Sequence, residues 1–485
     1  MQTSRRKKHP VKRIIKGIVL VLIAILLYVI IGGYAPFIRC PEVTDINTLK
    51  ARAQEMSQDI ESADRASILE TNLSALDERI RLMAQAEEEI IITSYDMRDG
   101  ESTRDIMAVA LHRAEEGVKV RILVDGISGL IRFHGNDMFA AVAAHPNIEV
   151  RIYNLLNPAL PWKTMGRMHD KYVIADDKAF ILGGRNMFDY FIGDYPTDHR
   201  SHDREVLIYN GAHGTPNSSD SALFQVRAYF EEVWNLDVTT VFGKNDPLDE
   251  ARREAVYQEL SDRYADIRAA KPSLFEPYDY AAATEPTHGV WLISNPTTIY
   301  AKEPVAFQQL YELMLLAEHE VIIHSPYAVL NGYMQSALTE IAANVPTTLM
   351  INAVENGDNM VASSDYTYHK GDVAATGVQL LEYAGGESYH GKSIAIDGNI
   401  SIIGSFNFDL RSTYVDTELM LVIRSETVNA QLRENMSALH ADCRQVVSTD
   451  ETIVPEGLEV PEVPAWKRMV WYVLGAAMQL VRNLV

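Results

Sequence analysis

A chain of 485 residues, 47% hydrophobic and 23% charged, is too long for one small core and too apolar to be disordered, so it divides into two lobes of ordinary domain size. Its net charge of −22 argues against an extended nucleic-acid surface, because Lys and Arg contacts to phosphate supply most of that affinity, although an acidic chain can still hold a local basic pocket. The two cysteines, Cys40 and Cys443, form no CxxC and no Cys/His cluster; they disfavour a structural metal and read as unrelated thiols rather than a disulfide closing a very long loop.

In chain order, residues 1–16 form a basic tail with Arg5, Arg6, Lys7, Lys8, Lys12, Arg13 and Lys16. The uncharged run 17–38 is long enough to cross a bilayer as a helix, and positive charge stays on the cytoplasmic side, so the tail is expected inside and the body outside the cell membrane. A cleaved signal peptide would have a shorter apolar stretch and an A-x-A site. Residues 39–65 are expected as a linker, and the body then reads as two related halves, 66–241 and 289–450. Each has an apolar strand (EIIITSY, 89–95; EVIIHSPY, 320–327), a helical stretch (105–117; 334–344) and another strand (118–126; 347–353). That order predicts parallel strands with crossover helices, hence two α/β lobes with sheets flanked by helices. Residues 242–288 have helical spacing and few strand formers, a connector packed on the outside. Residues 451–485 end in AWKRMVWYVLGAAMQLVRNLV, a helix suited to the headgroup region of a membrane or, alternatively, to packing on the lobes.

The chemistry lies late in each half. MHDKYVIADDKAFILGGRN and YHGKSIAIDGNISIIGSFN both hold His-x-Lys-x-x-x-x-Asp, namely His169, Lys171, Asp176 and His390, Lys392, Asp397. Gly-x-x-Asn follows in each, ending at Asn186 and Asn407, 17 residues from the histidine in both copies (186 − 169 and 407 − 390). One copy is weak evidence; two at identical spacing are strong. On a strand, His and Lys two apart share a face, and turn residues at 176–178 and 397–399 fold the chain into a hairpin that returns Asn beside them. Two lobes together gather two His, two Lys and two Asn. The lysines and amides can hold a phosphoryl group, one imidazole can attack phosphorus, and the other can protonate the departing alcohol. No cofactor or metal is called for. Each histidine needs an acceptor on its second ring nitrogen: Glu418 is the candidate in the second half, and Asp203, ahead of Glu205, in the first.

These residues resemble the phospholipase D superfamily, whose signature is a duplicated HxKxxxxD followed by GSxN or GGxN. MHDKYVIADD, GGRNMFDYFIGD, GSFNFDLRST and VDTELMLVI look most like bacterial cardiolipin synthases of the C-type branch. The resemblance implies two pseudo-symmetric lobes of mixed sheet meeting at one active site, and ping-pong transfer through a phosphohistidine without metal. It implies His169 as nucleophile, His390 as acid, Lys171, Lys392, Asn186 and Asn407 as phosphoryl binders, and Asp176 and Asp397 as structural. The expected partners are the bilayer and a phospholipid such as phosphatidylglycerol, with nucleic acid disfavoured. The alternatives are a phospholipase D hydrolase and a nuclease of the same superfamily. GGRN in the first copy and SSDYTYHKGDVAATGV (363–378) depart from the pattern and bear on headgroup choice.

Overall fold

The structure, a computed structural model, describes residues 10–243, 248–357, 359–460 and 463–485, and among these described residues twenty strands and the helices between them build the body. Lobe 1 holds β1 (Asp64–Leu69), β2 (Glu89–Ser94), β3 (Lys119–Asp125), β4 (Ile148–Tyr153), β5 (Tyr172–Ala175), β6 (Ala179–Gly183), β7 (Ser201–His202), β8 (Glu205–Asn210), β9 (Thr239–Val241) and β10 (Glu285–Pro286). Lobe 2 holds β11 (Val290–Ser294), β12 (Val321–His324), β13 (Thr347–Asn352), β14 (Gln379–Tyr383), β15 (Ser388–Tyr389), β16 (Ser393–Ile396), β17 (Ile400–Gly404), β18 (Leu419–Arg424), β19 (Cys443–Val446) and β20 (Thr452–Ile453). One sheet runs β10-β1-β8-β6-β5-β2-β3-β4-β9, the other β11-β18-β17-β16-β12-β13-β14-β19-β20. In each, three neighbouring strands are parallel (β2, β3, β4 and β12, β13, β14) and the rest pair antiparallel. Parallel neighbours need crossovers, which the helices Glu101–Glu115 and Gly332–Asn344 supply where the sequence predicts them.

Both sheets are covered on both faces, so their strands are near-continuous apolar runs. Alternate residues divide between layers: Val173 of β5 points to lobe 1's helices, while Ile174 faces a core shared with lobe 2. That shared core joins Phe180, Leu182 and Val206 to Ile403, Leu421 and Ile423.

Three peripheral segments refine the sequence reading. Residues 39–65 are more than a linker: the helix Ile46–Met56 buries Ala53 and Met56 in lobe 2's core, because a two-residue apolar side is enough to dock a short helix. The connector is the helix Glu250–Ala270, stacked on Glu101–Glu115 through Tyr264 and His112; residues 244–247 lie outside the described residues. The helix Ala465–Met478 packs Trp471 and Gly475 on the helix Met360–Ala374, and Arg482 pairs with Asp365 at 2.8 Å. At the other end, the helix Pro10–Tyr34 touches the body near its C-terminal end, where Tyr28 meets Ala159 and Trp162, and provides, over Ile14–Phe37, a stretch apolar enough to span a membrane. Of the basic tail, Arg5, Arg6, Lys7 and Lys8 lie outside the described residues.

Candidate active site

The hairpins fold as their turn residues require. Asp176 and Asp397 take positive φ (52° and 49°) at the turns of β5–β6 and β16–β17. Each carboxylate accepts three backbone N–H groups, from Glu87, Glu88 and Glu89 or from Glu318, His319 and Glu320, at 2.8–3.0 Å. Both aspartates therefore clamp the turn to the residues entering the adjacent antiparallel strand, β2 or β12, at the sheet edge away from the histidines. The far ends of β6 and β17 deliver Asn186 and Asn407 to a cavity of about 710 Å³ that His169 and His390 also line.

The lobes meet there through two short parallel pairings. β7 pairs with β15, matching His202 to Tyr389, and Met168 bridges Thr417. One step further along, His390 Nδ1 lies 2.7 Å from Asp203 and His169 Nδ1 lies 2.8 Å from Glu418. Each histidine is thus held by the carboxylate of the opposite lobe. This corrects the expectation that Glu418 serves the second half and Asp203 the first: the pairing follows inter-lobe register, which strand patterns within one half do not encode. Glu205 is occupied elsewhere, with Arg79 at 2.6 Å.

The two pairs are electrostatically unequal. Glu418 accepts from the Ser412 and Ser405 hydroxyls as well as facing His169. Burial nevertheless pushes its carboxyl up to about 8, and burial, with Lys171 and Lys392 nearby, holds His169 well below the usual imidazole range. Asp203 is equally buried, but Lys392 and His390 outweigh burial and hold it at about 2. Lys171, lowered to about 7 by burial and by Lys392, donates to the His169 carbonyl, while Lys392 lies 2.7 Å from His390 Nδ1. Asn186 accepts from the Asp96 N–H at 3.2 Å; Asn407 Oδ1 has no hydrogen-bond partner among the described residues. The cavity's arginines, Arg98 and Arg411, are paired with Asp96 and Asp416.

Several contributors were not read from the sequence. Asp170, between His169 and Lys171, is buried and raised to about 7 by burial; it accepts from Tyr229 and from Thr417, whose hydroxyl accepts the His169 N–H. Ser405 lies inside GSFN and was within reach of motif reasoning, whereas Tyr229 comes from a helix with no motif. Gly184 explains the GGRN departure: a Cβ there would lie 2.5 Å from the Asp203 carboxylate, while the matching Ser405 donates to the longer Glu418. Lys302, buried and lowered to about 8 by burial, has no hydrogen-bond partner for Nζ among the described residues. Cys40 and Cys443 are separate thiols.

Comparison with known proteins gives a consistent picture. The family model described as "Cardiolipin synthase, PLD-like domain" matches residues 80–190 and 310–440. Cardiolipin synthase C of Escherichia coli (strain K12) is 28% identical over 408 residues, 75% of this chain and 82% of that protein. Cardiolipin synthase B of Salmonella typhi is 24% identical over 77% of this chain and 79% of its own length. An uncharacterized protein of Helicobacter pylori (strain ATCC 700392 / 26695) is 24% identical over 81% of this chain and 82% of its own length. Among solved structures, phosphatidylserine synthase of Haemophilus influenzae Rd KW20 covers 90% of this chain and 100% of its own, with TM-score 0.64 at 12% identity, a likeness of fold.

Proposed function

We propose, on the premise that this chain belongs to the phospholipase D superfamily and most resembles its bacterial cardiolipin synthases, that it transfers a phosphatidyl group between glycerol hydroxyls through a phosphohistidine. One observation carries the mechanism: two histidines line one cavity, each backed by a carboxylate from the opposite lobe; burial raises the Glu418 carboxyl, while Lys392 and His390 outweigh burial and lower that of Asp203.

That difference supports His169 as nucleophile and His390 as acid. Once the His169–Glu418 pair has lost its extra proton, His169 is neutral with Nδ1–H donated to the Glu418 carboxylate, and presents the lone pair of Nε2 to phosphorus. Its attack forms the P–N bond and breaks the P–O bond to the departing alcohol, which leaves with a proton from His390. The ionised Asp203 stabilises the imidazolium that donates it. A second hydroxyl then returns a proton to His390 as its oxygen displaces His169 from phosphorus. Lys171 and Lys392 supply positive charge to the oxygens of the transition state, and the Asn186 and Asn407 amides are placed to donate to them. With phosphatidylglycerol as both donor and acceptor, the products are cardiolipin and glycerol. Lipid suits the site better than a nucleic-acid strand, because the cavity arginines are already neutralised by aspartates and offer no track for a polyanion. The basic residues ahead of the apolar helix support a cytoplasmic N-terminus with the body outside.

The test is an assay of the purified full chain with labelled phosphatidylglycerol in detergent micelles, beside His169→Ala and His390→Ala. A product with four acyl chains, lost in both variants, is expected. Phosphatidic acid alone would make the protein a hydrolase. Untouched lipid with degraded single-stranded DNA or RNA would overturn the lipid reading.

A further inference from the structure

Parallel strands in one sheet share a carboxyl edge, and loops leaving that edge form the ligand crevice of open α/β sheets. In both lobes that edge faces the cavity: Tyr95 and Asp96 follow β2, Tyr327 follows β12, and Asn359 closes the loop after β13. The same edge concentrates exposed apolar side chains. Leu130 and Ile131 follow β3, Leu155, Leu160 and Trp162 follow β4, and Met360 adjoins Asn359; Ile131 is 59% and Met360 58% exposed. Loop residues in water should be polar, and a contiguous apolar rim marks an interaction surface.

The occupant is indicated by what already touches this rim. The apolar helix Pro10–Tyr34 meets it directly: Tyr28 donates to the Ala159 carbonyl at 2.9 Å and packs edge-on against Trp162. Asn483 donates to the Phe37 carbonyl where that helix ends, and Arg411, at the cavity wall, donates to the Met165 carbonyl. The cavity wall at Arg411, the loop after β4 and the end of the apolar helix are therefore contiguous. The helix Ala465–Met478 repeats the pattern. Its inner side is covered by Met360–Ala374, yet Trp466, Met469 and Val473 on the opposite side are apolar and exposed, where a water-facing helix would be charged. Exposed Lys163, Lys467 and Arg468 accompany these apolar groups, the composition of a surface seated among anionic headgroups.

We infer that the cavity mouth opens onto the phospholipid bilayer crossed by the N-terminal helix, with Leu130, Ile131, Leu155, Leu160, Trp162 and Met360 immersed as a collar through which lipid substrate enters from the side. This deepens the proposed function and rests on it for the identity of the substrate. The test uses the full chain in phosphatidylglycerol/phosphatidylcholine vesicles carrying dibrominated phosphatidylcholine, whose acyl bromines quench tryptophan on contact. In a Trp162→Phe, Trp466→Phe background, Ile131→Trp and Met360→Trp probe the collar on each lobe away from the N-terminal helix. Leu316→Trp, just before β12 at the opposite sheet edge, is the control. Read as the emission each adds to that of Trp234, Trp291 and Trp471 in the background, both collar probes are expected to lose at least about half, with the emission added by the control unaffected. Unquenched probes at 131 and 360, with quenching in the unsubstituted chain lost on Trp162→Phe alone, would overturn the inference, leaving contact through the N-terminal helix alone. Emission does not depend on turnover, so loss of the catalytic reading would show in the lipid assay and leave this result standing.

Discussion

At the scale of single residues, the crossed carboxylates make a prediction that pairing within a lobe would reverse. Asp203 backs His390, so Asp203→Asn and His390→Ala should both impair protonation of the leaving alcohol, lowering kcat by about 10²- to 10⁴-fold. With a phospholipid carrying a p-nitrophenyl headgroup, which departs without a proton, the single-turnover release of p-nitrophenolate should recover most of that loss in both variants, while steady-state turnover stays slow because the second hydroxyl still has to give its proton to His390. Glu418→Gln weakens the nucleophile through His169 and should show no such rescue. Rescue of Glu418→Gln instead of Asp203→Asn would exchange the two roles. The proton inventory gives a second expectation. The productive state needs Lys171 charged and the His169–Glu418 pair without its extra proton. Lys171 loses its charge as pH rises through about 7, and Glu418 its proton through about 8. The kcat/KM profile of the free enzyme should therefore be a bell with its maximum between about 7 and 8. In Lys171→Arg the charge persists, so the falling limb set by Lys171 is lost and the maximum of a lower overall profile should move to higher pH, towards the limit set by the His390 proton. A profile of unchanged shape in that variant would remove Lys171 from the titration.

At the scale of elements, the hairpins were legible because each signal was local. His and Lys two apart share a face, Asp-x-x turns reverse the chain, and Asn returns at fixed spacing. What was not legible is what passes between lobes. The bridges Met168–Thr417 and Tyr389–His202 set which carboxylate meets which histidine, and no periodicity within one half encodes them. Asp170 stood in plain view inside the motif, but its link to Thr417 again crosses the lobes. The motif aspartates act at this scale. Asp176→Ala leaves three backbone N–H groups without their acceptor in a buried turn at positive φ, and should cost about 2–4 kcal/mol. Asp397 makes the same three bonds where solvent can replace them, so Asp397→Ala should cost less, about 1–2 kcal/mol. Denaturant midpoints at unchanged m-value would measure both. Equal costs would mean that burial of the turn does not set the energy.

At the scale of the whole molecule, the duplicated sequence invites a picture of two lobes that hinge apart, and the packing argues against it. Each sheet gives one face to its own helices and the other to a single core in which Phe180, Leu182 and Val206 meet Ile403, Leu421 and Ile423. Separating the lobes would expose that face, so neither lobe is a complete folding unit. Both carboxylate–histidine pairs span the same junction. The active site is consequently held as rigidly as the core beneath it, and substrate exchange has to occur through the mouth. Phe180→Ala, a change confined to lobe 1, should cost about 3–5 kcal/mol and lower the unfolding midpoint of both lobes together. Fluorescence of Trp291 in lobe 2 and hydrogen exchange in β2 and β3 of lobe 1 should then follow one coincident transition in wild type and variant alike. If lobe 2 kept its midpoint while lobe 1 melted early, the shared core would be a loose contact, and opening between lobes would return as the route for substrate.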